Sequence, residues 1–260
     1  ILGLIILVLA IASWSQRTRV NYPFGLTQGL LAMVILQGAF GASTVTWKLW
    51  PQVVTSHLLG GFVTGRLLMM LLIKLRRVGR QVKTLSLSNR SHSRLRIWAL
   101  LALILVIAQV FLGGWMSSNY AALACSTLPD CNGSWWPEMN FSEGFNFSQT
   151  LGPSYLGGLM HTEARQAIHV LHSYGAIILG VFVLLMSYRL ITQDDQRLRM
   201  FGLGFLVLFF VQVCLGLANI YYFLPLAVAV AHNFGGACLF VLTVSFNYLV
   251  FSNRGRLNEF

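Results

Sequence analysis

The chain has 260 residues, of which 56% are hydrophobic and only 10% charged, with a mean hydropathy of +0.69. Water-soluble domains carry about 25% charged residues, so this composition excludes an ordinary soluble globular protein. The net charge of +11 would suit a nucleic-acid binder, but the basic residues are grouped in a way that excludes that class.

A bilayer-spanning helix needs roughly 20 consecutive apolar residues. Seven apolar blocks follow one another, at about 1–15, 24–43, 51–73, 97–117, 167–189, 200–221 and 224–250. The fold expected is therefore all-α, a polytopic membrane helical bundle with seven visible spans. The first block is partial, at about 15 apolar residues. Arg17 and Arg19 follow block one, eight basic residues lie between Lys74 and Arg96, Arg189, Arg197 and Arg199 separate blocks five and six, and Arg254 and Arg256 close the chain. The alternate loops hold only Lys48 and Arg165, and Arg66 lies inside a block. An excess of Lys and Arg on alternate loops marks the cytoplasmic side. The C-terminus is expected inside, and the long loop 118–166 outside.

An internal repeat organises the blocks. Gln37 precedes His57 by 20 residues, and Gln212 precedes His232 by the same interval. Each Gln is followed four residues later by glycine (Gly41, Gly216), and each His by a glycine pair (Gly60 and Gly61, Gly235 and Gly236). A proline precedes each His (Pro51, Pro225). The offset of 175 maps block five onto block one, and block four, with its own Gln109 and Gly113, onto a helix before the chain begins. The expectation is two pseudosymmetric four-helix halves, the first incomplete: 1–73 as an incomplete N-terminal half, 74–96 as a basic linker, and 97–251 as a complete C-terminal half. The counterpart of His172 falls upstream of Ile1, so the natural protein is expected to extend beyond it.

Six histidines are present. His92 falls in a basic loop, where solvation is expected, and His161 in the outer loop. His57, His169, His172 and His232 lie within apolar blocks, where an ionisable side chain is a functional candidate, because burying it without a partner costs several kcal/mol. His57, His172 and His232 share one depth near the outer face. Neutral imidazole is a common axial ligand of haem iron, and two on facing helices would clamp a porphyrin between them. His169 is three residues from His172 and is expected as a wall or supporting group. The membrane blocks contain no Asp or Glu to build a carboxylate-bearing metal site. Cys125 and Cys131, on the outer loop, favour a small-loop disulfide, with a redox-active pair as the alternative. Cys214 and Cys238 read as packing residues. The loop's aromatic residues (Trp135, Trp136, Phe141, Phe145, Phe147) suit a membrane interface.

The segments GASTVTWKLWPQVVTSHLLGG, QVFLGGWMSSNYAALAC with LPDC, IHVLHSYGA and AHNFGGA resemble those of haem A synthases of the CtaA type. The resemblance implies eight helices in two halves, each with a histidine pair. It implies that His172 and His232 ligate a permanent haem b and that His57 is one of the pair receiving haem o as substrate. It implies conversion of a methyl group of haem o to the formyl group of haem a by successive hydroxylations, for cytochrome oxidase assembly. Haem O synthase and cytochrome oxidase assembly factors are the partners it suggests, and a bacterial inner membrane (or the mitochondrial one) the location. The other haem o ligand, and an acidic residue three positions before it proposed as catalytic, would both fall before Ile1. Many family members carry Arg where this chain has Ser173, and Arg165, seven residues before His172, is a candidate replacement for anchoring a propionate. The competing reading is a non-catalytic b-type cytochrome for membrane electron transfer; a transporter would place its polar residues at the midplane, with broken helices.

Overall fold

The computed structural model describes residues 1–20, 22–77, 89–127, 130–150 and 160–252, without the side chains of 77 and 89–92. His92 therefore lies outside the described side chains, and the tail with Arg254 and Arg256 outside the described residues. The helices are α1 (Leu2–Trp14), α2 (Phe24–Thr46), α3 (Pro51–Arg77), α4 (Asn89–Ser118), the short α5 (Phe141–Gly144), α6 (Thr162–Ile191), α7 (Gln196–Tyr221) and α8 (Leu226–Phe251). Six of them, α2, α3, α4, α6, α7 and α8, are long and apolar enough to cross a membrane, and α1 is shorter. The chain is a multi-pass membrane bundle. Helices are the natural answer to such a sequence, because a helix satisfies its own backbone polar groups where no water can.

The α4 and α7 helices begin before their apolar blocks, because helical hydrogen bonding carries on into the basic, wetter end. There Asp195 caps α7 by accepting from Arg197 N at 2.9 Å and pairs with its guanidinium at 2.6 Å. At the opposite end, α2, α4 and α7 stop in the same way. The amide of Leu49 donates to Thr44 O (2.8 Å), that of Ala121 to Met116 O (2.9 Å) and that of Leu224 to Asn219 O (2.6 Å). Each closure passes through a left-handed residue, with φ of 49° at Lys48, 54° at Tyr120 and 55° at Phe223. These are six-to-one bonds that recover carbonyls left over at a helix end. Pro51 and Pro225 then start α3 and flank α8, where their missing N–H costs nothing.

In the C-terminal part, α4 packs on α6 and α8, and α7 packs on the same two, so the four close into a ring. Helix α6 lies diagonally across from α8. The ring's buried core, including Ala99, Val106, Leu179, Met186, Leu198, Phe205, Leu239 and Phe246, occupies the basic-loop half of the bundle. Its fully buried members stop at Val106, Leu179, Phe205 and Leu239, and above them the partly buried Val110, Leu208 and Phe209 pack against the cluster. Helices α1, α2 and α3 pack in sequence around Ile6, Leu30 and Leu71, and α3 also packs on α4 and α8.

The outer loop lies back over the bundle. The indole of Trp115 donates to Gly144 O (2.8 Å), that of Trp50 to Gln149 O (2.9 Å), and Gln52 Nε2 to Phe147 O (3.0 Å). Trp135 and Trp136 remain exposed. Cys125 and Cys131 form the disulfide, with Cα atoms 4.7 Å apart, packed on Val170 and Tyr174 of α6.

Candidate functional site

His57, His172 and His232 each lie in the first three turns or so of a helix leaving the outer-loop end. The rings of His172 and His232 lie across the diagonal of the C-terminal ring, within electrostatic range of one another although α6 and α8 do not pack together. Both rings lie in the outer-loop half of the bundle, above the fully buried core.

The local geometry repeats three times. A Cβ at Gly41 would stand 3.2 Å from Cε1 of His57, one at Gly113 3.1 Å from Cε1 of His172, and one at Gly216 3.4 Å from Cε1 of His232. Each imidazole edge thus rests on a glycine of the preceding long helix. Three residues after each His, a second glycine receives a glutamine from that same helix. Gln37 fills the notch at Gly60, Gln109 that at Gly175 and Gln212 that at Gly235. Residues i and i+3 share a helix face, so each amide sits one turn below its ring. Gly60 and Gly235 therefore admit a glutamine side chain, whereas Gly61 faces open space. The third copy escapes a reading by fixed offset. Gln109 and His172 are 63 residues apart instead of 20, because 43 residues of outer loop are inserted between otherwise equivalent helices. The signal was present as Gln-x-x-x-Gly followed by His-x-x-Gly.

Polar satisfaction differs among the copies. Gln109 Nε2 lies 3.2 Å from Nδ1 of His172 and donates to His172 O at 3.0 Å. Nδ1 of His57, Nδ1 of His232 and Nε2 of Gln212 are buried and make no hydrogen bond.

His57 is not gathered with the other two. Helix α4 stands between, showing Gly113 to His172 and Gly114 to Leu58 and Thr55 of α3, while Thr55 and Ser118 bond through their hydroxyls at 2.9 Å. His169 is 2% exposed, and its Nδ1 bonds Ala121 O at 3.1 Å, which ties the start of the outer loop to α6. Arg165, His169 and His172 follow i, i+4, i+7 spacing, so Arg165 lies on the same face roughly 10 Å toward the outer end. Arg66 is exposed on α3. His161, outside the membrane, bonds both oxygens of Glu143 at 3.0 and 3.1 Å. The His161 backbone N–H, at 2.8 Å, holds the Glu143 carboxyl below its usual range against the opposing effect of burial, with a lesser contribution from the His161 ring.

Among the described residues no three His, Cys, Asp or Glu side chains come together to hold a metal ion by themselves. A facing pair of imidazoles is instead the donor set for an ion that brings four equatorial nitrogens with it.

The family model for the COX15-CtaA cytochrome oxidase assembly protein matches residues 1–244. A haem A synthase of Shewanella oneidensis is 40% identical over 249 residues, covering 95% of this chain and 73% of that protein. With the helical bundle and its facing histidines, these matches establish that the chain belongs to the COX15-CtaA family of cytochrome oxidase assembly proteins.

Proposed function

We propose that the protein is a membrane oxidoreductase of the haem A synthase type, converting haem o to haem a by successive hydroxylation of one porphyrin methyl group. The observation that carries the reading is the pair His172 and His232, within electrostatic range of one another on diagonally opposed helices of the α4, α6, α7, α8 ring. Imidazoles on two opposite helices would hold a haem iron, in a bundle whose apolar blocks contain no Asp or Glu to compete for it.

The residues divide the work as follows. His172 and His232 bind a resident haem b through the ring nitrogens that face the space between them. The Arg165 guanidinium, about two turns above His172 on the same helix face, anchors a propionate at the outer end. His57, on the far side of α4, would hold haem o on the substrate side. The division of the chain follows: 1–73 serves the substrate, 97–251 the resident haem, and 74–96 connects them at the basic end. The outer loop covers this end of the bundle through Trp50, Gln52 and Trp115, which keeps bulk water away. A bound haem supplies a redox iron and a conjugated ring through which electrons pass. The C-terminus lies on the cytoplasmic side of a bacterial inner membrane, and an enzyme that farnesylates haem b supplies the substrate.

Purified protein will show a low-spin bis-imidazole haem in its reduced-minus-oxidised spectrum. His172→Ala and His232→Ala will each abolish it. An unchanged spectrum in both variants refutes the ligand assignment. Haem extraction from cells supplied with haem o identifies the product: haem a supports catalysis, and persistent haem o with retained haem b favours a simple electron carrier.

A further inference from the structure

The three helix pairs place a polar side chain where packing alone would accept an apolar one. A leucine or methionine would fill the notch at Gly60, Gly175 or Gly235 without burying amide hydrogens. All three notches nevertheless hold glutamine. Each glutamine lies nine residues before its helix's last residue (Thr46, Ser118, Tyr221) and faces a ring that a glycine one turn nearer the outer end brings within van der Waals reach. The ring is thus held at its edge by a glycine and from below by an amide.

We propose that Gln109, Gln212 and Gln37 are positioning residues that set the rotation and tautomer of His172, His232 and His57. This rests on the functional reading above and extends it from the ligands to what holds them. An imidazole that coordinates through Nε2 carries its proton on Nδ1, and the partner of that proton fixes the ring's plane and its basicity. In the α4/α6 pair Gln109 Nε2, a donor, lies 3.2 Å from Nδ1 of His172, so the amide must turn to present Oε1 there if it is to hold a proton on Nδ1. In the α7/α8 pair the Gln212 carbonyl faces the His232 ring, yet Nδ1 of His232 and Nε2 of Gln212 are both buried without a hydrogen bond. Orphaned polar groups are unfavourable in a bundle core, and a Gln212 amide turned toward the His232 ring would relieve both. In the α2/α3 pair Nδ1 of His57 is likewise orphaned, with the Gln37 amide below it.

The test uses the full chain in detergent, with ferric haem b as the added ligand and nitrogen-15 resonances of the histidines as a readout that needs no haem. Gln109→Leu will move the His172 ring to a different tautomer balance and speed haem dissociation by about 10- to 100-fold. Gln109→Glu will restore retention and lower the haem midpoint potential below wild type, because an anionic acceptor at Nδ1 makes the imidazole a stronger donor. Gly175→Ala, whose Cβ would stand 2.5 Å from Gln109 Oε1, will reproduce the Gln109→Leu behaviour and add nothing in a Gln109→Ala background. Unchanged nitrogen-15 shifts and unchanged haem dissociation in Gln109→Leu overturn the proposal. Wild-type protein that binds no haem would sink the functional reading, while the tautomer comparison still decides the role of Gln109.

Discussion

Replacing Trp115 with alanine will release the outer loop from the bundle. The indole is 1% exposed, rests among Ala121 and Ile168, approaches Phe147 at a centroid distance of 4.9 Å, and donates its N–H to Gly144 O at 2.8 Å. Truncating a fully buried tryptophan costs about 3–5 kcal/mol, a range that includes the lost transfer energy and the cavity left behind. The missing donor at Gly144 O adds to the local loss, since an unsatisfied buried carbonyl costs about 1–3 kcal/mol, though the two effects overlap. The cost falls on the outer loop, because the main buried core of the bundle lies at the other end. Amide hydrogen exchange reads it directly, with the protected N–H groups of Gly144 and Phe145 (bonded to Asn140 O and Phe141 O, each 3.0 Å) as reporters. At about 1.4 kcal/mol per decade, these amides will exchange at least about 100-fold faster in Trp115→Ala. Trp115→Phe, which keeps most of the volume and loses the donor, will fall between. Amides around Met186 in the core serve as the internal control and will not change. Exchange at 141–147 within about threefold of wild type in a folded Trp115→Ala protein would refute the claim that this indole anchors the loop.

Cys131→Ser removes a cross-link spanning six residues, which by loop-closure entropy costs roughly 2 kcal/mol, and alkylation of unreduced wild-type protein will leave both Cys125 and Cys131 unmodified. Gly113→Ala will push the His172 ring, whose Cε1 is 3.1 Å from the added methyl, and broaden the low-spin haem signal, while Gly38→Ala, with nothing within 4 Å, will leave it unchanged. Glu143, held below its ordinary value of 4.5 first by the His161 backbone N–H, contributes loop stability that is fully present above pH 4.5 and fades as pH falls through the lowered value. Loop protection measured from about pH 6 down to about pH 3 will show that fall in wild type, and Glu143→Gln will flatten this part of the curve; a wild-type profile flat over that range would contradict the assignment.

The helices and their order are readable along the chain, since apolar runs of about 20 residues admit helices and the basic loops between them fix alternate faces. His57, His172 and His232 stand out in the same reading, because an imidazole inside a membrane helix is costly to bury unless it binds something. The sequence reading set His169 apart from His172 as a wall or supporting group, and the structure adds the Ala121 carbonyl against its ring. The repeat was legible where Gln and His are 20 residues apart and hidden where 43 inserted residues separate Gln109 from His172. Which helices face each other across the bundle was settled by tertiary packing alone. Apolar residues cover these helices on every side, because lipid and protein core demand the same chemistry, so no amphipathic stripe points inward. Glycine and glutamine at the contact points select the neighbours instead, and their partners lie up to 63 residues away along the chain.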